Sequence, residues 1–221
     1  MVAGLPPSLT DKAYAELEER IVTLELKPGQ VLSENALAAS LGIGRTPIRE
    51  ALQRLAREGL IVILPRRGVM VSEINVRSQL ELLRVRRELE RLMANLASKR
   101  ASADEKTAFI NLAEEMRDCA DRSDDVGFMR LDRDLNLMVS RACRNEYALR
   151  AMGLTHGLSR RFWYMHYKEV LDLPRCATLH AALAQAIGEG EAETAMRASD
   201  ELLDYIESFT RAALDVPLNF G

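Results

Sequence analysis

The sequence predicts a mainly α-helical protein, with an N-terminal winged helix-turn-helix and a C-terminal antiparallel all-helical bundle of about six helices. Three observations carry this. The stretch TPIREALQRLAR repeats apolar residues at helical spacing and is basic on its other side. The β-rich runs LIVIL and VMV, around the turn PRRG, are short and follow that helix directly. No proline occurs between Pro65 and Pro174, and Leu, Ala, Glu and Arg, all good helix formers, dominate the composition. The character changes after Ile74, so the expected domains are 1–74, the winged helix-turn-helix, and 75–221, the helical bundle.

The first helix is expected over 11–25, with Thr10 as N-cap and Leu17, Ile21 and Leu24 on one face. Lys27-Pro28-Gly29 breaks it. Ser33 caps a second helix over 34–41, which Gly42 ends. Thr46-Pro47 opens the third, with proline at its first position. Ile48, Ala51, Leu52, Leu55 and Ala56 form its apolar stripe, and Gly59 closes it. Leu60–Leu64 and Val69–Val71 then pair as a hairpin. Helices are expected near 76–100, 103–121, 125–142, 146–171, 175–188 and 191–213, with Asn75, Ser102, Asp124 and Asn145 as caps. Their short connections favour antiparallel neighbours.

Bulk properties narrow the function. Hydrophobic content is 48% and charged content 29%, as in a globular protein with a real core. No apolar run approaches the roughly 18 residues a membrane helix needs, and the opening MVAGLPPSLTDK lacks an apolar signal core. Cys119, Cys143 and Cys176 are far apart and odd in number, which suits free thiols in a reducing cytoplasm. Net charge is −3, but residues 40–72 hold six arginines against two glutamates, and residues 73–221 hold 21 basic and 25 acidic side chains. A basic patch on an otherwise acidic chain is what a local polyanion contact requires. No nucleophile elbow, glycine-rich phosphate loop or Cys-His pairing accompanies the scattered Ser, His and Asp residues, which speaks against an enzyme.

Arg45, Arg49 and Gln53 fall four apart, opposite the Ile48/Leu52/Leu55 stripe. A helix with one buried face and one basic face fits the major groove of a duplex, and arginine can bridge guanine O6 and N7 with two hydrogen bonds. Thr46, at the helix start, can meet a phosphate. Arg66 and Arg67 at the hairpin tip would reach the neighbouring backbone or the minor groove. Glu50 and Arg54 are expected to pair with each other. The competing reading of this helix is a solvated amphipathic face whose arginines only keep it soluble.

At this point LKPGQVLSENALAASLGIGRTPIREALQRLAREGLIVILPRRGVMV resembles the N-terminal domain of the GntR family of bacterial transcription regulators, and LGIGRTPIREALQRLAREGL is close to that family's signature. Two departures are visible: Gly44 stands where serine is usual, and Leu24 where glycine is common. LLRVRRELERLMANLAS and LDRDLNLMVSRACRNEYALRAM resemble the opening helix and central helix pair of the FCD-type effector domain of the FadR subfamily, at VanR-like length. The resemblance implies that Arg45, Thr46, Arg49 and the wing residues Arg66, Arg67 and Gly68 contact DNA. It also implies a homodimer on a short palindromic operator, tuned by a small metabolite.

Many members of this subfamily hold a metal through an aspartate, a histidine four residues later and two histidines on the last two helices. The matching positions here are Asp132, Asn136, His180 and Asp200. That oxygen-rich set suits a weakly held divalent ion such as Mn²⁺, Mg²⁺ or Ca²⁺ better than zinc or nickel. One alternative is a metal-free polar effector cavity in which the four bond each other, a ligand or water; another is that His180 is only a satisfied interior histidine and Asp200 a helix-surface carboxylate. Arg86 can clamp an acidic ligand or pair with Glu90, four residues on. Asn145 matches a recurrent asparagine of the family, where N-capping alone explains it. His156, Arg160, Trp163 and His166 share one long helix, and the Phe162-Trp163-Tyr164/Tyr167 block suits core or dimer seam. The expected function is a ligand-responsive, DNA-binding repressor. Its rivals are a metal-dependent enzyme built on Asp132, His180 and Asp200, and a helical protein-interaction scaffold.

Overall fold

A computed structural model of the chain describes residues 7–65, 67–170 and 172–213. It divides into two compact units, one of residues 1–75 with 153–167 and one of 76–152 with 168–221.

The first unit begins with α1 (Leu9–Val22). Its N-cap is Ser8 rather than the expected Thr10: the Ser8 hydroxyl accepts from the Asp11 backbone N–H while the Asp11 carboxylate bonds back to the Ser8 N–H. Thr10 instead donates to Glu50 across the unit at 2.7 Å. Leu24 follows the helix with φ of +62°, a left-handed conformation that favours glycine, so the departure at this position keeps the turn at some cost in strain. Helices α2 (Glu34–Leu41) and α3 (Arg45–Arg57) come next, with Gly42 left-handed between them. The cap of α3 is Gly44, so Pro47 occupies the third helical position and not the first.

The wing has one strand more than the expected hairpin. β1 (Val31–Leu32), β2 (Ile61–Leu64) and β3 (Gly68–Val71) form an antiparallel sheet of order β1-β3-β2, with Val31 opposite Met70 and Leu64 opposite Gly68. A two-residue strand is too short to leave a periodic signature. Leu17 and Ile21 of α1, Ile48, Leu52 and Leu55 of α3, and Leu60, Val69 and Val71 form one core.

The second unit packs α4 (Val76–Arg100), α5 (Ala103–Arg122), α6 (Asp125–Ala142), the ends of α7 (Glu146–Val170), α8 (Leu173–Glu189) and α9 (Ala192–Ala212). Capping residues set several starts: Ser102 forms a capping box with Glu105, Asp124 accepts from Gly127, and Asn145 accepts from Tyr147 and Ala148. α8 begins earlier than expected, because Asp172 caps it and Pro174 lies in its first turn. α5 and α8 approach closely at Gly188, where a Cβ would stand 2.7 Å from Ile110 Cγ1.

Candidate nucleic-acid interface and helical-domain cluster

The structure splits α3 by solvent. Ile48, Ala51, Leu52 and Leu55 are buried, whereas Arg45, Thr46, Arg49 and Gln53 are exposed. The apolar stripe is thus spent on the core, and the basic side is left for a partner. No side chain caps the N-terminus of α3, since Gly44 carries none. Arg49 is engaged: its Nε and Nη2 donate to Glu34 Oε2 at 3.2 and 2.9 Å. The expected Glu50–Arg54 pair is replaced, with Glu50 held by Thr10 and Arg54 by Glu58 at 3.2 Å. Arg54 also lies over the Tyr14 ring at 3.6 Å. Tyr14 in turn donates to Glu58 at 2.7 Å, and burial, then Glu58, raises its pKa above the usual phenol value.

At the wing, Arg67 is exposed and its N–H closes the turn onto Leu64 O at 3.0 Å. Arg66 lies outside the described residues. Gly68 has φ of +96°, and a Cβ there would collide with Leu32 O of β1. Packing alone therefore demands glycine at this position, whatever contact its backbone makes.

A third component was not read from the sequence. Residues 153–167 of α7 belong to the first unit. Leu158 packs on its core, and Arg160 bonds Glu18 at 2.9 Å and Glu19 at 3.1 Å. Arg161 is only 2% exposed and donates to Ser72 O (2.9 Å), Ser72 Oγ (3.0 Å) and Glu73 O (3.4 Å), where the chain leaves β3. Burial pushes its pKa down to about 10, opposed by Glu73, so it stays charged at neutral pH. His166 is buried against Phe162, and Trp163 stacks on Tyr167 at 4.9 Å. The only sequence signal for this embedding is Arg160-Arg161 within an apolar stretch, which also suits a surface.

In the second unit the structure brings three of the four metal-pattern residues together. His180 Nε2 lies 3.2 Å from Asp132 Oδ1, and Asn136 Nδ2 donates to the same oxygen at 3.1 Å. His180 Nδ1 meets Cys176 O at 2.8 Å, and Phe128 stands edge-on to the imidazole. Burial works against a charged imidazole, while Cys176 and the Asp132 carboxylate favour it, and the balance lies above the ordinary histidine value. Asp200 stands apart from the trio. Arg91 reaches its carboxylate at 3.6 Å, and Arg87 bonds its carbonyl at 3.2 Å and Asp204 at 2.7 Å. A metal held by all four would have to compete with Arg91 for the Asp200 carboxylate. Asn136 turns its NH₂, a donor, toward Asp132, which no cation would favour. Among the described residues no group of three or more His, Cys, Asp or Glu is placed to hold a metal. As placed, the four do not fit a resident metal. Arg86 pairs with Glu90 through Nε at 2.7 Å, and both are mostly buried rather than exposed. Asn145 is spent on capping α7.

Comparison with known proteins agrees with this architecture. Residues 9–71 match the model of the bacterial regulatory proteins of the gntR family, and residues 81–205 match the FCD domain. A regulator from an unstable DNA locus of Streptomyces ambofaciens is 52% identical over 62 residues, 28% of this chain and 26% of its own length. The Escherichia coli K12 repressor RspR is 23% identical over 203 residues, 92% of this chain and 89% of its own. The structure of E. coli McbR/YncC superposes with a TM-score of 0.80 at 21% identity, covering 95% of this chain and all of that one, and so shares the fold. The chain spans 26%, 46% and 60% of the length of three curated relatives it matches. The family and these relatives are transcription regulators and not enzymes. With the GntR helix-turn-helix in front and the FCD domain filling most of the remainder, this chain belongs to the GntR family of bacterial regulators, in its FCD-bearing, FadR-like branch.

Proposed function

We propose that this chain is a cytoplasmic repressor that binds a short palindromic operator as a homodimer and responds to a small organic or sugar acid. The observation that carries the DNA contact is the division of α3: its apolar stripe is buried while Arg45, Thr46, Arg49 and Gln53 face solvent. In this reading those four, with Arg67, the Gly68 backbone and Arg66, form the DNA surface. The repressor direction is supported by RspR, a relative matched along most of its length. No described helix is long and apolar enough to cross a membrane. The effector contact centres on Asp132, Asn136 and His180, because Arg86, Asn145 and Asp200 already bond Glu90, the α7 backbone and the arginines of α4. An acidic ligand would displace Asp132 from His180 or bridge to it. This centre works without a resident metal.

Fluorescence anisotropy with a duplex from upstream of the protein's own gene tests the proposal. Binding should weaken steeply with salt. Arg49→Ala should weaken it by at least about tenfold, the size of one lost bidentate base contact, and leave the thermal midpoint in place. Normal binding by Arg49→Ala would overturn the assignment of α3. His180→Gln should keep operator binding but remove its response to the stabilising acid found in a thermal-shift screen.

A further inference from the structure

The proposed reading of α3 leaves one contact unexplained: why an arginine meant for DNA is held by an acid on the neighbouring helix. Glu34 is the first residue of α2, and its carboxylate reaches Arg49 on α3. Both bonds run to a single oxygen, Oε2, from Nε at 3.2 Å and Nη2 at 2.9 Å. The acid therefore takes the side edge of the guanidinium. Of five N–H donors, this uses two. What remains is the end edge, Nη1 with the second hydrogen of Nη2, which is the fork that spans guanine O6 and N7. Arg49 is still 61% exposed with this bond made, so the clamp does not bury the reading edge.

We infer that Glu34 is a positioning residue for DNA recognition, holding the Arg49 guanidinium by its inner edge so that the outer fork faces one base position. This rests on the reading of α3 as the helix that contacts DNA. Two physical effects follow from it. A clamped arginine has already lost the rotamer freedom it would otherwise lose on binding. The carboxylate also places a negative charge beside the contact, which disfavours non-specific approach to phosphates. Glu34 therefore raises the ratio of specific to non-specific affinity more than it raises affinity itself.

A randomised duplex library, selected with the purified full-length protein and then with Arg49→Ala, Glu34→Ala and Glu34→Gln, tests this. The wild type should enrich a motif, and Arg49→Ala should erase preference at a defined position in it. Glu34→Ala should blur that same position and tighten binding to an unrelated duplex. Its specificity ratio should fall by up to about tenfold, the cost of immobilising one long side chain at an interface. Glu34→Gln keeps an oxygen acceptor without the charge and should fall between wild type and Glu34→Ala. A role confined to the first turn of α2, where an acid favours the helix dipole, would lower the thermal midpoint and leave the motif alone. An unchanged motif in Glu34→Ala, or an Arg49→Ala motif identical to wild type, overturns the inference while operator binding stands. If Glu34→Ala does not fold, an unchanged motif in Glu34→Gln overturns it. If the wild type enriches nothing, the DNA reading and the inference fall together.

Discussion

Helix α3 and residues 153–167 of α7 belong to the same compact unit, yet they relate charge to solvent in opposite ways. On α3 the arginines face outward and the apolar stripe faces the core. On α7, Arg161 is buried and its partners, two main-chain oxygens and the Ser72 hydroxyl, lie 88 and 89 residues away in sequence. Arg160 reaches acids 141 and 142 residues away. Periodicity reads a helix with one wet face. It cannot read a helix whose charges are satisfied by a distant segment, because the pattern then lacks a polar side to mark solvent. A buried charge is legible only through its partners.

The largest expected effect separates these two kinds of arginine. Arg161→Ala removes a buried guanidinium and strips Ser72 and Glu73 of their donors, at a cost of about 3 kcal/mol. Arg57→Ala, on the exposed face of α3, should change stability by less than about 0.5 kcal/mol. Urea denaturation of both variants gives the comparison directly. Equal effects would show that Arg161 is not held as the structure places it. Arg161→Met should recover part of the loss, since neither variant carries the charge but methionine fills the buried volume that alanine leaves empty.

The same logic explains what the sequence disclosed about the helical cluster. Asp132 and Asn136 are four apart on α6, so their meeting follows from helix geometry. His180 joins them from α8 by tertiary packing, and only the family resemblance pointed to it. The resemblance also grouped Asp200 with them, but Arg87 and Arg91 of α4 engage Asp200. Position within a family motif marks where a residue sits on its helix and not which neighbour it answers. The front domain was more legible, because the ends of its three short helices follow local signals at Pro28-Gly29, Gly42 and Gly59, although Gly44 and not Thr46 proved to cap α3. Its misses were also local: Ser8 outcompeted Thr10 as a cap by forming a reciprocal pair with Asp11, and β1 was too short for any periodicity to appear.

Glycines offer a second, smaller contrast between the two regions. A Cβ on Gly157 of α7 would stand 2.8 Å from Cδ1 of Leu60, a fully buried core residue. Overpacking of this kind costs about 1–3 kcal/mol, and alanine's better helix propensity returns up to about 1 kcal/mol. Gly157→Ala should therefore destabilise by about 1 kcal/mol net, visible as a lower denaturation midpoint. A gain in stability would mean that Leu60 and α7 separate freely, and that this part of α7 is not packed into the unit.

Gly44 should behave in the opposite sense. A Cβ there meets only Pro47 Cδ, at an ordinary 3.8 Å, and its φ of −59° suits any residue. Serine at this N-cap can accept from the second helical N–H, that of Thr46. The third position is Pro47, which has no N–H to offer. Half of the usual capping opportunity is thus closed by the chain itself, so Gly44→Ser should stabilise by only about 0.3 kcal/mol. Gly44→Ala, which adds a Cβ without an oxygen, should instead lose a few tenths, roughly 0.3 kcal/mol. Thermal midpoints ordered serine, glycine, alanine would show that the hydroxyl acts through the Thr46 N–H. That same N–H would then be withdrawn from a phosphate, so Gly44→Ser should weaken duplex binding slightly even as it firms the fold. A serine variant that gained both stability and affinity would place the phosphate elsewhere, away from the start of α3.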